Sequence, residues 1–284
     1  MFSRSLFVRN MGTETSEIAK ALKDVLRRAE SASQKRAQTL PQTKPRVVAV
    51  SKTKPVQMIV EAYQLGQRHF GENYVQELVE KSCHPEILEK CKDIKWHFIG
   101  HLQKNKINKV LGCNNLFLME TLDSEKLAHN LNNTWEKMEK AESLNVMVQV
   151  NTSQEASKSG CNPAQVCGLV KFVREKCPRL SFIGLMTIGA FDHDLTTGPN
   201  PDFQLMLRCR QEVCEQEQLR AEEVELSMGM SHDFEHAIEV GSTNVRIGSV
   251  IFGARNYAAK SPPQEAASGG ASAVSTSGTN EAGS

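Results

Sequence analysis

The sequence predicts an α/β protein built as a single (β/α)8 TIM barrel. Short β-branched runs alternate with longer stretches of helical period, in order, eight times, which is the pattern of a parallel sheet with crossover helices. The 284-residue chain, less a polar tail and a short N-terminal stretch, leaves a core close to the ~250 residues typical of such a barrel. The rival, an open doubly wound sheet, would carry G-x-G-x-x-G after its first strand; that turn reads SKTKPVQ.

The elements follow from spacing and punctuation. Residues 16–37 show helical periodicity through Ile18, Leu22, Val25 and Leu26. RVVAVSK (46–52) is the first strand, and Pro55 opens a helix that Gly66 ends. HFGEN (69–73) is the second, followed by a helix through Val75, Leu78 and Val79. WHFIGH (96–101) and LFLMET (116–121) are the third and fourth, and Asp123 is expected to cap the helix carrying Leu127 and Leu131. NVMVQVN (145–151) precedes a helix over 163–176, and LSFIGLMTIG (180–189) precedes one over 201–218. VELSMG (224–229) is the seventh strand, with a helix through Phe234, Ala237 and Ile238; NVRIGSVIFG (244–253) is the eighth.

Composition bounds the rest. With 34 Lys+Arg against 33 Asp+Glu the net charge is +1, so there is no basic excess for nucleic acid. No apolar run approaches the ~20 residues of a membrane span. The eight cysteines form no C-x-x-C and sit at no zinc-ligand spacing with histidine, so no metal site is expected and the thiols read as reduced. Residues 1–15 read as a flexible start, 16–259 as the barrel, and 260–284 as a disordered tail whose one large aliphatic residue is Val274. The expected location is cytoplasmic. Arg4 and Arg9 without an acid in the first dozen residues hint at a mitochondrial presequence; an unstructured start with a second initiator at Met11 is the alternative.

In such a barrel, function lies at the C-terminal strand ends. Val48, Val50 and Lys52 share one strand face, so an amine can emerge at the mouth above valines. That environment disfavours the ammonium and suits a nucleophile that condenses with an aldehyde. Lys54, just before Pro55, is expected in solvent or on an anion. The segments SMGMS (227–231) and GSTNVRIGS (241–249) are rich in small residues whose N–H groups can approach a phosphate, and Ser231 is placed to cap a helix starting near His232. Arg246, mid-strand between Val245 and Ile247, needs an acceptor such as a ring nitrogen, a ligand carboxylate or an internal ion pair. His97 and His101 read as hydrogen-bonded loop residues. An amine, a phosphate cradle and a buried arginine together point to pyridoxal 5′-phosphate (PLP).

AVSKTKP (49–55), FGENYVQE (70–77), WHFIGHLQ (96–103), GLMTIG (184–189) and SMGMSHDFEHAI…GSTNVRIGSVIFG (227–253) resemble the YggS family, also called the proline synthase co-transcribed homologue family, of pyridoxal phosphate homeostasis proteins. The detail is closest in kind to vertebrate members. This resemblance implies a type III PLP fold similar to the alanine racemase N-terminal domain, without the racemase β-domain. It implies an aldimine on Lys52, Arg246 at the pyridine nitrogen, and Gly248 and Ser249 at the phosphate. Ser231, Ser227 and Thr243 are further phosphate candidates, and Asn73 lines the ring.

The racemases use a second base, a tyrosine from a partner subunit. Here the tyrosines are Tyr63, Tyr74 and Tyr257, and the chain after the last is polar. The resemblance therefore implies a carrier in PLP (vitamin B6) homeostasis and supply, without established catalysis and with no catalytic residue assigned. A monomer is expected, with PLP as ligand and apo PLP-dependent enzymes as candidate recipients. A slow PLP-dependent racemase or lyase is the alternative. A phosphorylated-sugar enzyme on the same barrel leaves Lys52 and Arg246 less well explained, since no paired carboxylates appear at strand ends.

Overall fold

A computed structural model of the chain describes residues 16–155, 158–190 and 193–254. Eight strands pair in chain order into a closed parallel barrel: β1 (Arg46–Val50), β2 (His69–Glu72), β3 (Lys95–Phe98), β4 (Leu116–Leu122), β5 (Leu144–Gln149), β6 (Leu180–Met186), β7 (Glu225–Ser227) and β8 (Asn244–Ile247). The seam closes where β8 pairs with β1, Arg46 opposite Asn244 through Ala49 opposite Ile247. The helices are α1 (Glu17–Gln34), α2 (Val56–Gln64), α3 (Val75–Ser82), α4 (Pro85–Lys90), α5 (Ile107–Leu111), α6 (Glu125–Lys137), α7 (Val166–Lys176), α8 (Pro201–Glu217), α9 (Phe234–Glu239) and α10 (Ser249–Phe252). The expected single barrel is the observed architecture. None of the described helices is long and apolar enough to cross a membrane.

Each strand has two buried faces. Val47, Ala49, Phe70, Trp96, Phe98, Val245 and Ile247 face outward into the apolar layer beneath the helices. Inside the barrel, Leu118, Met147 and Met186 form a small apolar cluster. Inward-facing polar residues from the other strands surround it. The helix α1 straps the seam beside β8. Its Arg28 meets Glu235 at 2.5 Å and lies 4.7 Å from the Phe234 ring. The Arg36 guanidinium donates to the carbonyls of Pro41, Thr43, Ile238 and Ser242, so four of the five N–H groups of this buried cation are met by backbone.

Several expectations need correction. The segment read as an eighth strand over 244–253 splits at Gly248: β8 ends at Ile247 and SVIF forms the single-turn α10. Four residues rich in β-branched side chains carry no helical period, so composition alone suggests strand. The cap of α6 also falls one residue later than expected: Ser124, not Asp123, accepts the Leu127 N–H at 3.4 Å. The short helices α4 and α5 are too brief to show a period in the sequence. The readings of 1–15 and 260–284 lie outside the described residues.

Candidate functional site

The C-terminal end of the barrel opens into a cavity of about 310 Å³. Lys52, Asn73, Ser231, Arg246, Gly248 and Ser249 all line it, together with Lys54, His232 and apolar walls from Val50, Ile99, Met186 and Ile188. Six of the eight predicted site residues therefore meet in one place. The volume is at the lower end of the range for small-molecule sites.

Lys52 leaves β1 by a tight turn in which Thr53 takes a left-handed backbone, φ +62. Protein groups hold that turn on both sides of the lysine. Lys81 Nζ donates to the Ser51 carbonyl at 2.8 Å and to Glu72 and Glu77 at 2.8 and 2.7 Å; Glu77 in turn accepts the Thr53 N–H at 2.7 Å. The Ser51 hydroxyl donates to Glu72 at 2.6 Å. Burial pushes the Glu72 carboxyl up, with the Lys81 charge opposing it. Lys54, expected in solvent or on an anion, lines the cavity and donates to the Ala254 carbonyl at 2.7 Å, which ties the β1–α2 turn to the residues after α10.

Asn73 follows β2 directly, and its Oδ1 is buried with no hydrogen-bond partner among the described residues. An unpaired buried amide oxygen is costly. On the opposite wall, the β7–α9 loop lies along β8: Arg246 N donates to the Gly229 carbonyl at 3.0 Å, and Gly229 adopts φ +96. This path brings the Ser231 hydroxyl to accept the Gly248 N–H at 3.4 Å. Ser231 does not cap a helix as expected, because Asp233 holds the N-terminal position of α9. The first N–H groups of α10 have no partner within the helix, as at any helix start, and they open beside Gly248 and Ser249.

Arg246 is 4% exposed and forms part of the cavity floor. One terminal nitrogen donates to the Ser227 hydroxyl at 2.6 Å and the other to the Thr187 carbonyl at 2.7 Å. Ser227 itself donates to Glu120 Oε2 at 2.5 Å and accepts from Asn244 at 2.9 Å. Two phosphate assignments are thereby corrected. Ser227 lies inside the barrel with its hydroxyl consumed by protein groups. Thr243 precedes β8 and therefore sits at the opposite, N-terminal end of the barrel, with its Oγ1 accepting the Leu226 N–H at 2.9 Å.

Two further residues, Glu120 and His69, escape a reading of the sequence confined to strand ends. Glu120, fully buried on β4, accepts from His97 Nδ1 at 2.6 Å. His97 is therefore an interior residue of β3, and its Nε2 meets His69 Nδ1 at 2.8 Å. A glutamate at inward register within LFLMET is as conspicuous as Arg246 in NVRIG, and the same burial argument finds it. His101 lies at the surface, 3.3 Å from the Ser159 hydroxyl. All eight cysteines are unpaired.

An amine-bearing loop after β1, an arginine floor from β8 and a glycine turn opening a short helix define the racemase-type barrel. The family described as alanine racemase, N-terminal domain, matches residues 27–256, and the chain belongs to it. Alanine racemase of Corynebacterium glutamicum shares the fold at 14% identity, with a TM-score of 0.55 over 86% of this chain and 63% of that one. More particularly, the chain belongs with the pyridoxal phosphate homeostasis proteins: it is 56% identical over 247 residues to the one from Homo sapiens, covering 87% of this chain and 90% of that one. PipY of Synechococcus elongatus PCC7942, solved with PLP bound, matches with a TM-score of 0.67 at 29% identity, over 83% of this chain and 100% of its own.

Proposed function

We propose that this protein binds PLP at the barrel mouth and serves the homeostasis and supply of that cofactor. The observation that carries the reading is the convergence of Lys52, Asn73, Arg246, Ser231, Gly248 and Ser249 on one cavity. The similarity to PLP homeostasis proteins and to a PLP-bound neighbour supports it.

The residues present fit the group. The orphaned Asn73 Oδ1 offers an acceptor at the cavity wall. A Cβ at Gly248 would lie 3.2 Å from the Val50 carbonyl oxygen, so this turn is tight for any side chain, and its Gly248 N–H and the Ser231 hydroxyl that accepts it lie where a phosphate would sit. Arg246 would offer a ring nitrogen an N–H donor and no acceptor, which would leave that nitrogen unprotonated. When bound, PLP supplies an electrophilic aldehyde and an electron sink. Lys52 is the amine that would meet the aldehyde. Val50 and Ile99 line the cavity beside it, and the Lys81 cluster fixes the turn that carries it.

The role without catalysis rests on the tyrosines among the described residues, Tyr63 and Tyr74. Tyr63 is bonded to Asp93, Tyr74 is half exposed, and neither lines the cavity. We read the protein as a monomeric carrier that passes its ligand to apo-enzymes. One observation favours a second reading, a slow racemase or lyase: His232 lines the cavity and could move a proton opposite Lys52.

The deciding experiment is an absorption spectrum of protein incubated with PLP, followed by borohydride reduction and peptide mapping. A visible band with a phosphopyridoxyl adduct on Lys52 is expected. No band at excess PLP would refute the reading. Exchange of an amino-acid α-proton in deuterated water, lost in His232→Gln, would replace the carrier with the enzyme.

A further inference from the structure

Below the cavity, the barrel interior holds a polar chain that the binding of a ligand does not by itself require. Glu120 is fully buried and does not line the cavity. Its two oxygens are nonetheless well served: His97 and Asn244 on Oε1 at 2.6 and 3.3 Å, Ser227 and Asn244 on Oε2 at 2.5 and 3.4 Å.

The protons on this chain run in one direction. Burial tends to raise the Glu120 carboxyl, but the hydrogen bond and electrostatic pull of His97, then the charge of Arg246 and the Ser227 hydrogen bond, outweigh it and hold the group below its usual range, as a carboxylate. A carboxylate only accepts. The single Ser227 proton must then go to Glu120, which leaves the Ser227 lone pairs to receive Arg246 and Asn244. Burial holds His97 neutral and pushes His69 down to about 2. His97 therefore donates from Nδ1 to Glu120 and accepts at Nε2 from His69.

With both histidines neutral, the charges that face this interior are few. Arg46 and Glu225, from β1 and β7, pair with each other at 2.5 Å. Asp233, in the loop before α9, accepts the Met230 N–H at 2.6 Å. Glu120 is left as the buried carboxylate that balances Arg246, one hydroxyl away. A buried guanidinium without such a partner would be costly.

We infer that Glu120 is a positioning residue for the ligand site: acting through Ser227, it aims the Arg246 guanidinium at the cavity floor and neutralises it there. The inference rests on the PLP reading above. Its consequence is electrostatic. The cavity, which Lys54 and His232 also line, does not feel a bare cation from its Arg246 floor, so the nitrogen that Lys52 contributes to its ligand can keep a proton near neutral pH.

The test is a pH titration of the visible band in PLP-loaded wild type, Glu120→Gln and Ser227→Ala, with PLP dissociation constants measured alongside. Glu120→Gln keeps the shape and removes the charge. The titration midpoint is expected to fall by about one pH unit, as an uncompensated cation disfavours a second positive charge nearby. Ser227→Ala keeps the charge but leaves the guanidinium with the Thr187 carbonyl as its one remaining anchor of the two, and PLP affinity is expected to fall about tenfold with a smaller change in midpoint. If Glu120→Gln folds and matches wild type in midpoint and affinity, the inference is overturned. Should Glu120→Gln not fold, unchanged PLP affinity in Ser227→Ala overturns it equally. A wild-type protein that takes up no PLP removes the reading beneath it, a result distinct from either.

Discussion

Gly100 presses so closely on Asn73 that a Cβ at position 100 would overlap the Asn73 carbonyl oxygen. The glycine after β3 thus sets the path of the chain after β2 and, with it, the cavity wall where Asn73 Oδ1 lacks a protein partner among the described residues. Asn73→Ala removes that acceptor without disturbing the backbone. It is expected to weaken PLP binding several-fold while leaving the thermal midpoint unchanged. Gly100→Ala should lower both, because backbone must move. Equilibrium titration and thermal unfolding of the two variants check the pair, and an Asn73→Ala protein that binds as wild type would remove Asn73 from the site.

Gly229 is a purely conformational requirement on the other wall. Its φ of +96 strains any L side chain, and a Cβ there would lie 2.5 Å from the Ala237 Cβ on α9. Gly229→Ala is expected to cost about 2–4 kcal/mol in denaturant unfolding, adding backbone strain to overpacking. Gly168 offers the control: nothing lies within 4 Å of its Cβ position on α7, so Gly168→Ala should be neutral or stabilising by up to about 1 kcal/mol.

The barrel is legible because each strand has its own apolar run and each crossover its own helical period. Lys52 and Arg246 are legible for a sharper reason. Lys52 continues the strand face of Val48 and Val50, and Arg246 sits between Val245 and Ile247, so each charge stands out against its apolar neighbours. Glu120 obeys the same rule but lies inside β4, away from the strand ends where a barrel keeps its function. Thr243 fails for a directional reason. A parallel barrel puts its site at the C-terminal ends alone, and a cluster spanning 241–249 straddles both ends of the four-residue β8. Ser227 fails because sequence cannot show that an inward hydroxyl is already consumed, here by Glu120, Asn244 and Arg246.

The interior histidines make a prediction about acid. His69 is pushed down to about 2 by burial, and His97 is also lowered by burial against the pull of Glu120. Between pH 6.5 and the lowered values the unfolded chain binds protons that the folded chain refuses, so stability rises with pH and is lost as pH falls below about 6.5. Each histidine contributes up to about 1.4 kcal/mol per pH unit in that window. Thermal midpoints measured from pH 7.5 to 5 should decline, and His69→Gln should flatten the decline. A midpoint independent of pH over that range would show that neither ring is held neutral.

Lys81 ties stability to the ligand site. Its ammonium is nearly buried on α3, yet it reaches the Ser51 carbonyl, Glu72 and Glu77, and Glu77 reaches the Thr53 N–H. The residues on both sides of Lys52 are thus held by one cation. Lys81→Met keeps the length of the side chain and its apolar stem but strands the fully buried Glu72, and breaking such a pair typically costs about 3–5 kcal/mol. The loss in unfolding free energy alone would follow from any buried ion pair. The loop argument demands more: under conditions where Lys81→Met remains folded, the rate of adduct formation at Lys52 should fall at least tenfold, as the turn loses its fixed geometry. The double variant Glu72→Gln/Lys81→Met should recover much of the stability, because no charge is then left stranded on β2, while the slow adduct formation persists. Recovery of stability together with wild-type kinetics would reduce the cluster to a packing feature and leave the orientation of Lys52 to the β1–α2 turn alone.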